Sequence, residues 1–269
     1  MKMLFSQGKS KTLTLSYDDG VVQDKRLVEI LDKHGIKCTF NISAGKYTPG
    51  DTDPSYGKMT KSSAQALFEN PNHEIATHGY DHLHMTRLDG VDKIAQIAKD
   101  RQQLETDFGR IVRGFAYPYG AFDADSVAAL KLCGIAYART TRSTYKFELP
   151  ENWLQLHPTC HHNDERLMAL AKRFVETVHG QMFYLWGHSY EFDDRDNWHV
   201  IEEFAAYMGG REDIWYATNM EIYAYVQAYR MLEINYDKTV VYNPTMTTLW
   251  FEQKGNTYSI APGETLHIQ

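Results

Sequence analysis

The stretch HEIATHGYDHLH, His73 to His84, holds four of the twelve histidines of this 269-residue chain. His73-Glu74 begins like the helix of a zinc protease, but that helix needs its second histidine four positions on, and His78 is five on. Residues four apart share one face of a helical turn, so His78 and His82 are the usable pair, H-x-x-x-H. Two imidazoles and one carboxylate are a common zinc donor set that leaves a position open for chemistry. The carboxylate is offered by YDDG, where Asp18 and Asp19 stand side by side. Adjacent carboxylates suit two jobs, one holding an ion and one taking a proton from water. Gly20 allows the tight turn that presents both. Taken alone, Asp-Asp-Gly also reads as a turn that caps the next helix.

These residues need elements to position them. KTLTLSY, Lys11 to Tyr17, alternates, is rich in β-formers and runs straight into DDG. A helix follows over VQDKRLVEILDKHG, with Leu27, Ile30 and Leu31 at helical spacing and Gly35 as its stop. IKCTFNIS reads as a strand, SSAQALFEN as a helix and HEIATH as a short strand. A long amphipathic helix runs from Val91 to Phe108, with Ile94, Ile97, Leu104 and Phe108 on one face. VRGFAYPYG is strand then turn, DADSVAALKLCG a helix stopped by Gly134, and IAYART a strand. A helix covers Asp164 to Thr177 with Asp164 as its N-cap. MFYLWGHS is a strand, WHVIEEFAAYMG a helix, and IWYATNMEIYAYVQAYR strand, turn and helix.

Strands and helices thus alternate about seven times, the pattern of βα units on a parallel sheet. The clusters DDG, THGYDH, YPYG and GHS each fall just after a strand. In a βα barrel that is the rim where active sites are built. From Leu232 the pattern changes to short alternating runs with turns at Lys254-Gly255 and Pro262-Gly263, read as three or four antiparallel strands. The chain therefore divides into a barrel, residues 1–231, and a small β appendage, residues 232–269.

Composition narrows the partners. A net charge of −7 argues against nucleic acid or an anionic membrane as the main partner. Cys38, Cys133 and Cys160 form no C-x-x-C pair and no disulfide framework, which fits a reducing compartment. The opening MKMLFSQGKSK has only a three-residue apolar run, not the core of a signal peptide, and no 18-residue apolar stretch follows. The expectation is a soluble cytoplasmic protein, although a secreted chain already trimmed of its signal reads the same. The 18 tyrosines suit a sugar-lined groove and equally suit half-buried packing. Nothing in the chain sets an oligomeric state.

LSYDDG, THGYDH, FAYPYG and LWGHS together resemble, in this order, the motifs of the polysaccharide deacetylases, the NodB-homology group also called carbohydrate esterase family 4. GIKCTFNISAG resembles the family's second strand, and the resemblance covers about residues 10 to 226. It implies an α/β fold, a distorted (β/α)7 TIM-like barrel, and one divalent metal ion, zinc by preference, with cobalt, nickel or manganese as alternatives. It implies Asp19, His78 and His82 as metal ligands and Asp18 as general base. It implies the Tyr119 backbone N–H as an oxyanion donor and His188 as the general acid. The implied reaction is hydrolysis of an N-acetyl group, less often O-acetyl, on an acetylated carbohydrate, releasing acetate. An amide is a poor electrophile with a poor leaving group, so hydrolysis needs an activated water, a polarised carbonyl and a proton for nitrogen. The chain offers one candidate for each. Tyr117, Trp186, Trp153 and His161 are the candidate substrate contacts.

The sequence also departs from the family pattern. The arginine usual three residues before Tyr119 is Ala116 here, with Arg113 and Arg139 as available substitutes. Trp186 stands where leucine is usual. The acid that orients His188 stays open among Glu191, Asp193, Asp194 and the region NWLQLHPTCHHND. His73 and Glu74 are expected as scaffold and His84 as a loop residue. Two other readings compete. One is a carbohydrate-binding protein on an inactive barrel, favoured by the missing arginine and opposed by the retained Asp18 and His188. The other is a hydrolase of a non-sugar C–N bond, whose relatives lack the intact Asp-His-His set.

Overall fold

The computed structural model describes residues 1–178 and 181–268. In chain order the elements are β1 (Lys2–Leu4), β2 (Lys11–Asp18), α1 (Asp24–Lys33), β3 (Cys38–Ile42), α2 (Lys61–Leu67), β4 (Glu74–Thr77), α3 (Gly90–Phe108) and β5 (Gly114–Ala116). Then come α4 (Ala124–Leu132), β6 (Tyr137–Arg139), β7 (Cys160–His161), α5 (Leu167–Glu176), β8 (Met182–Gly187), α6 (Tyr190–Asp194), α7 (His199–Met208), β9 (Ile214–Tyr216) and α8 (Asn219–Arg230). Five short strands finish the chain: β10 (Glu233–Ile234), β11 (Val240–Tyr242), β12 (Leu249–Gln253), β13 (Asn256–Ile260) and β14 (Thr265–His267).

The parallel strands run in the order β6-β5-β4-β3-β2-β8-β7, with β9 paired to the start of β2. This is a distorted (β/α)7 barrel, curled rather than closed by a ladder. Its edges, β6 and β7, are joined by the segment between them. Leu156 bridges to Arg139 on β6, and the Thr159 N–H donates to Tyr184 O on β8, 2.8 Å away.

Strand β2 shows why the site lies where it does. All eight of its residues are buried. A strand covered on both faces usually reads as an unbroken apolar run, yet β2 alternates. Leu13, Leu15 and Tyr17 pack outward with Leu27 and Leu31 of α1 and Phe204 of α7. Thr14, Ser16 and Asp18 face a polar interior. Thr14 Oγ1 donates to Asn219 Oδ1 at 2.9 Å, and Ser16 Oγ lies 2.9 Å from the Tyr184 hydroxyl. Asp18 ends this inner row at the rim. The first turn of α8 seals the opposite end of the interior. There the Asn219 N–H donates to Thr39 Oγ1, and the Met220 N–H to Glu74 Oε2 at 2.9 Å. Glu74 also accepts from the Tyr137 hydroxyl at 2.6 Å, and burial lifts its pKa above the ordinary carboxylate range.

Some elements differ from expectation in physically informative ways. The buried stripe of α3 is Lys93, Ile97, Asp100, Leu104 and Asp107, while Ile94 is exposed. Two acids thus sit on the inner face of this helix because backbone amides and side chains there need them. Helix α5 begins at Leu167, not at Asp164. The Asp164 carboxylate instead accepts the Arg166 N–H in the turn leading in. The short elements β7 and α6 are additional to those expected. Among the described residues, five strands follow residue 231 in place of three or four, and the N-terminal β1 joins them. They form two three-stranded antiparallel sheets, β10-β11-β14 and β1-β12-β13. One of these sheets thus takes its edge strand from Lys2–Leu4 at the other end of the chain.

Candidate active site

The inner row of β2 delivers Asp18 into a nest of partners. Its Oδ1 accepts from Asn41 Nδ2 of β3 at 2.8 Å, and its Oδ2 accepts from Arg139 Nη2 of β6. The same Oδ2 lies 3.8 Å from both His78 Nε2 and His188 Nε2. Burial alone would raise its pKa. The Arg139 guanidinium, then His78, His188 and the Asn41 amide, outweigh burial and hold Asp18 well below the usual carboxylate range. Asp18 is therefore a carboxylate whose ionised form is favoured at neutral pH.

Arg139 is fully buried, and its guanidinium lies 4.4 Å over the Trp186 ring. It stands in ladder register with Ala116, one strand over. The small side chain at 116 leaves the interior open at that level, and the arginine reaches Asp18 from the neighbouring strand. Arg113 lies elsewhere, its Nε donating to Gly134 O.

Asp19 follows with a left-handed backbone, φ +88, fixed by its N–H donating to Asn41 O at 2.8 Å. His82 and Tyr119 also have positive φ, so three of the eight such non-glycine residues described meet here. Side chains pay about 1–3 kcal/mol for such conformations, which persist where surrounding contacts over-determine them. His78 and His82 do not share a helix. His78 follows β4 directly, and a turn closed by the His82 N–H on Gly79 O brings the second ring back. Their Nε2 atoms face each other at 3.1 Å.

The donor chemistry fits a metal. His78 Nδ1 lies 2.8 Å from the Ala116 carbonyl. A carbonyl only accepts, so Nδ1 carries the proton and Nε2 keeps its lone pair. Burial drives the His78 pKa down to about 4 against the pull of Asp18 and Asp19, and burial also lowers that of His82. Both rings are neutral, as ligation requires. The ligand atoms of Asp19, His78 and His82 all lie within 4.8 Å of one another. Buried Asp100 of α3 holds this loop. Its carboxylate accepts the Ala44 N–H at 2.7 Å and the His78 N–H at 2.9 Å, and burial pushes its pKa up to about 7.

On the other side, His188 follows β8. Its Nδ1 lies 3.2 Å from Glu191 Oε1, which leaves Nε2 toward Asp18. Burial disfavours the charged ring, but the Glu191 hydrogen bond and the Asp18 and Asp19 charges outweigh it and raise the His188 pKa. Glu191 also receives Asn163 Nδ2 at 2.7 Å and approaches the Nε2 atoms of His162 and His161 at 3.0 and 3.3 Å. The His162 ring, then His188 and His161, outweigh burial and hold its pKa well below the usual range. His161, His188 and Glu191 have ion-holding spacing. However, His161 Nδ1 accepts the Asn163 N–H, so its Nε2 carries a proton. The cluster is a hydrogen-bonded knot around Glu191. Asp193 and Asp194 are engaged elsewhere, with Gln23 and Trp198 and with Tyr56. Gly187 allows the knot to close, because a Cβ there would sit 2.0 Å from His162 Nδ1. Buried Asp24 ties the Val21 N–H to the Ser189 hydroxyl, joining the Asp18-Asp19 turn to the His188 loop.

In the turn Pro118–Gly120, hydrogen bonds run from Gly120 to Tyr117 and from Ala121 to Pro118, so the Tyr119 N–H stands outside them. The Tyr119 ring stacks on His84 at 3.8 Å and meets the edge of His82. Trp186 and His161 border the site, their rings 4.6 Å apart.

Two expected substrate contacts lie elsewhere. Tyr117 points outward beside Phe115, stacks on Phe122 and donates to Leu154 O at 2.8 Å. Alternation puts Ala116 inside and Tyr117 in the helix layer. Trp153 packs edge-on to Tyr223 of α8 in a core cluster with Tyr137, Leu156 and Ile222. It covers the barrel seam. His73 is scaffold, accepting the Cys38 N–H and lying 3.1 Å from Asp32. Asn41, Lys58, Asp100 and Asp24 escaped the sequence reading. Only Asp100 left a signal, an acid on the stripe facing the core.

A family model described as Polysaccharide deacetylase matches residues 6–138. The chain is 28% identical over 110 residues, 40% of its length, to an Arthroderma benhamiae protein assigned by name as a peptidoglycan-N-acetylglucosamine deacetylase. That match spans 22% of the relative's length. The fold is similar to that of a polysaccharide deacetylase candidate from Mycobacterium smegmatis, with 14% identity, a TM-score of 0.59, and coverage of 85% of this chain and 94% of that one. It is also similar to a family 4 carbohydrate esterase from Streptomyces lividans solved with acetate, with 16% identity, a TM-score of 0.50, and coverage of 74% and 89%. Among the described residues, no helix is long and apolar enough to cross a membrane.

Proposed function

The chain belongs to the polysaccharide deacetylase family, and on that premise we propose that it hydrolyses an acetyl group, N-linked by preference, from a sugar or oligosaccharide and releases acetate. The strongest support is the setting of Asp18. An ionised carboxylate, held by Arg139 and Asn41, lies 3.8 Å from an imidazole on each side. Asp19, His78 and His82 would hold a divalent ion, zinc by the two-imidazole, one-carboxylate donor set, with cobalt, nickel or manganese able to substitute. Such an ion supplies Lewis acidity to the acetyl carbonyl and to the attacking water.

The remaining work falls to the chain. Asp18 takes the proton of the attacking water. The Tyr119 N–H donates to the oxygen of the acyl group as it gains charge. His188, whose charged form is favoured by Glu191 and the two aspartates, gives its Nε2 proton to the departing nitrogen. Trp186 and His161 form the wall beside the acyl group. The partner is an acetylated carbohydrate, and three unpaired thiols suit a cytoplasmic setting. The test is acetate release from chitooligosaccharides, peptidoglycan fragments and acetylated monosaccharides, before and after chelation. Release that chelator abolishes and zinc restores supports the reading. A zinc-loaded protein that releases no acetate from any of them sinks it.

A further inference from the structure

Asp19 already has a cation upon it. Lys58 Nζ lies 2.6 Å from Asp19 Oδ1, the same oxygen that faces His82 Nε2 at 3.6 Å. The lysine is held there by its backbone. Lys58 bridges to Val21, the Met59 N–H donates to Gly20 O, and the Val22 N–H donates to Gly57 O, both at 2.9 Å. The segment that carries the ammonium is thus stitched to the turn that carries Asp19. The side chain is 29% exposed, so it borders solvent where it sits.

Two adjacent carboxylates in a buried site repel each other and are costly to leave without countercharge. Asp18 has Arg139 for this purpose. Asp19 has Lys58. A divalent ion on Asp19, His78 and His82 would meet the ammonium at the same carboxylate oxygen, and two cations so close repel. We infer that Lys58 is the resident counter-ion of the metal carboxylate and sets metal affinity: it holds Asp19 in the metal-free protein and leaves that oxygen when the ion binds. The inference rests on the proposed metal role of Asp19, His78 and His82. Its consequence is a site that stays folded when empty and binds its ion less tightly than its ligands alone would allow.

The experiment titrates zinc against a competing chelator at one pH, using the full chain and the variants Lys58→Met, Lys58→Arg and His78→Ala. Lys58→Met should bind zinc about tenfold tighter, roughly 1.4 kcal/mol, while its metal-free form melts at a lower temperature. Lys58→Arg should stay near the parent. In the parent itself, labelling of Lys58 by an amine-reactive reagent, read by mass spectrometry, should rise when zinc is added. This last measurement needs no variant to fold. Equal or weaker zinc binding by Lys58→Met, or labelling indifferent to zinc, would overturn the inference. Zinc retained undiminished by His78→Ala would instead overturn the ligand assignment beneath it.

Discussion

Replacing Arg139 by methionine removes the guanidinium that faces Asp18 inside the barrel. The pair is fully buried, and Asp18 would keep only the Asn41 amide as a close donor. Breaking one side of a buried ion pair costs about 3–5 kcal/mol, because the charge left behind has no partner. Unfolding entropy of about 2.1 cal/mol/K per residue, taken over the chain, converts that to a fall in Tm of roughly 5–9 °C. The effect on catalysis has a definite sign. Arg139 is the strongest influence holding the Asp18 pKa down. Without it burial dominates and the pKa rises. A general base must be ionised, so the acid limb of kcat/KM moves to higher pH, and activity lost at neutral pH returns in part as pH rises. At neutral pH the loss falls in the roughly 10²–10⁴-fold span of an acid–base group. Arg139→Lys should lie between, keeping charge without the planar fork. Ala116→Arg placed on top of Arg139→Met should restore part of the rate, since residue 116 sits beside 139 in the ladder. The assays are a thermal melt and a pH–rate profile of acetate release. An Arg139→Met protein with the parental acid limb and a Tm within about 2 °C of the parent would refute the reasoning.

Four further outcomes are expected. His78→Ala and His82→Ala should each lose the metal, about one ion per chain in the parent, by elemental analysis; unchanged content would remove them as ligands. Asp18→Asn should keep its metal and lose hydrolysis by roughly 10²–10⁴-fold, and near-normal acetate release would end its role as base. Glu191→Gln should lower the His188 pKa, because the hydrogen bond that favours the charged ring is weakened. A general acid must be protonated, so the alkaline limb of kcat/KM should move to lower pH, and an unmoved limb would count against Glu191. In the parent, the raised His188 pKa contributes stability below about pH 6.5 that is lost as pH rises through the folded value. Glu191→Gln should flatten that part of the pH–stability curve.

The legible part of the site was the part written in short motifs. Asp18 ends a strand, and Asp19, His78, His82 and His188 each follow one within a residue or a turn, so a βα alternation is enough to gather them at one rim. The helical rule that paired His78 with His82 gave the pairing for the wrong local reason, since a turn with a positive φ does the work. What could not be read was register and facing. Arg139 and Arg113 are equal in sequence, and only the ladder puts 139 level with Ala116. Glu191 stands out from its acidic neighbours only because α6 turns it back onto His188 while Asp193 and Asp194 turn away. The facing of Tyr117 and Trp153 could not be read either, because an aromatic beside a motif carries no sign of which face it takes. The fold was easier, since alternation of strand and helix survives small errors at their ends. The exception was the N-terminal strand, whose partner lies at the far end of the chain.

The polar floor of the barrel has a consequence for how the protein is made. Thr14, Thr39 and Glu74 lie on the first strands to be synthesised, yet each finds a partner in residues 219–220. Asn219 trails Thr39 by 180 positions, a wait of roughly ten to forty seconds at the usual pace of synthesis. Until then these strands lack their α8 partners, and their polar groups have only one another, the Tyr137 hydroxyl and water. The polar floor is therefore completed only when the first turn of α8 has emerged, late in the making of the chain.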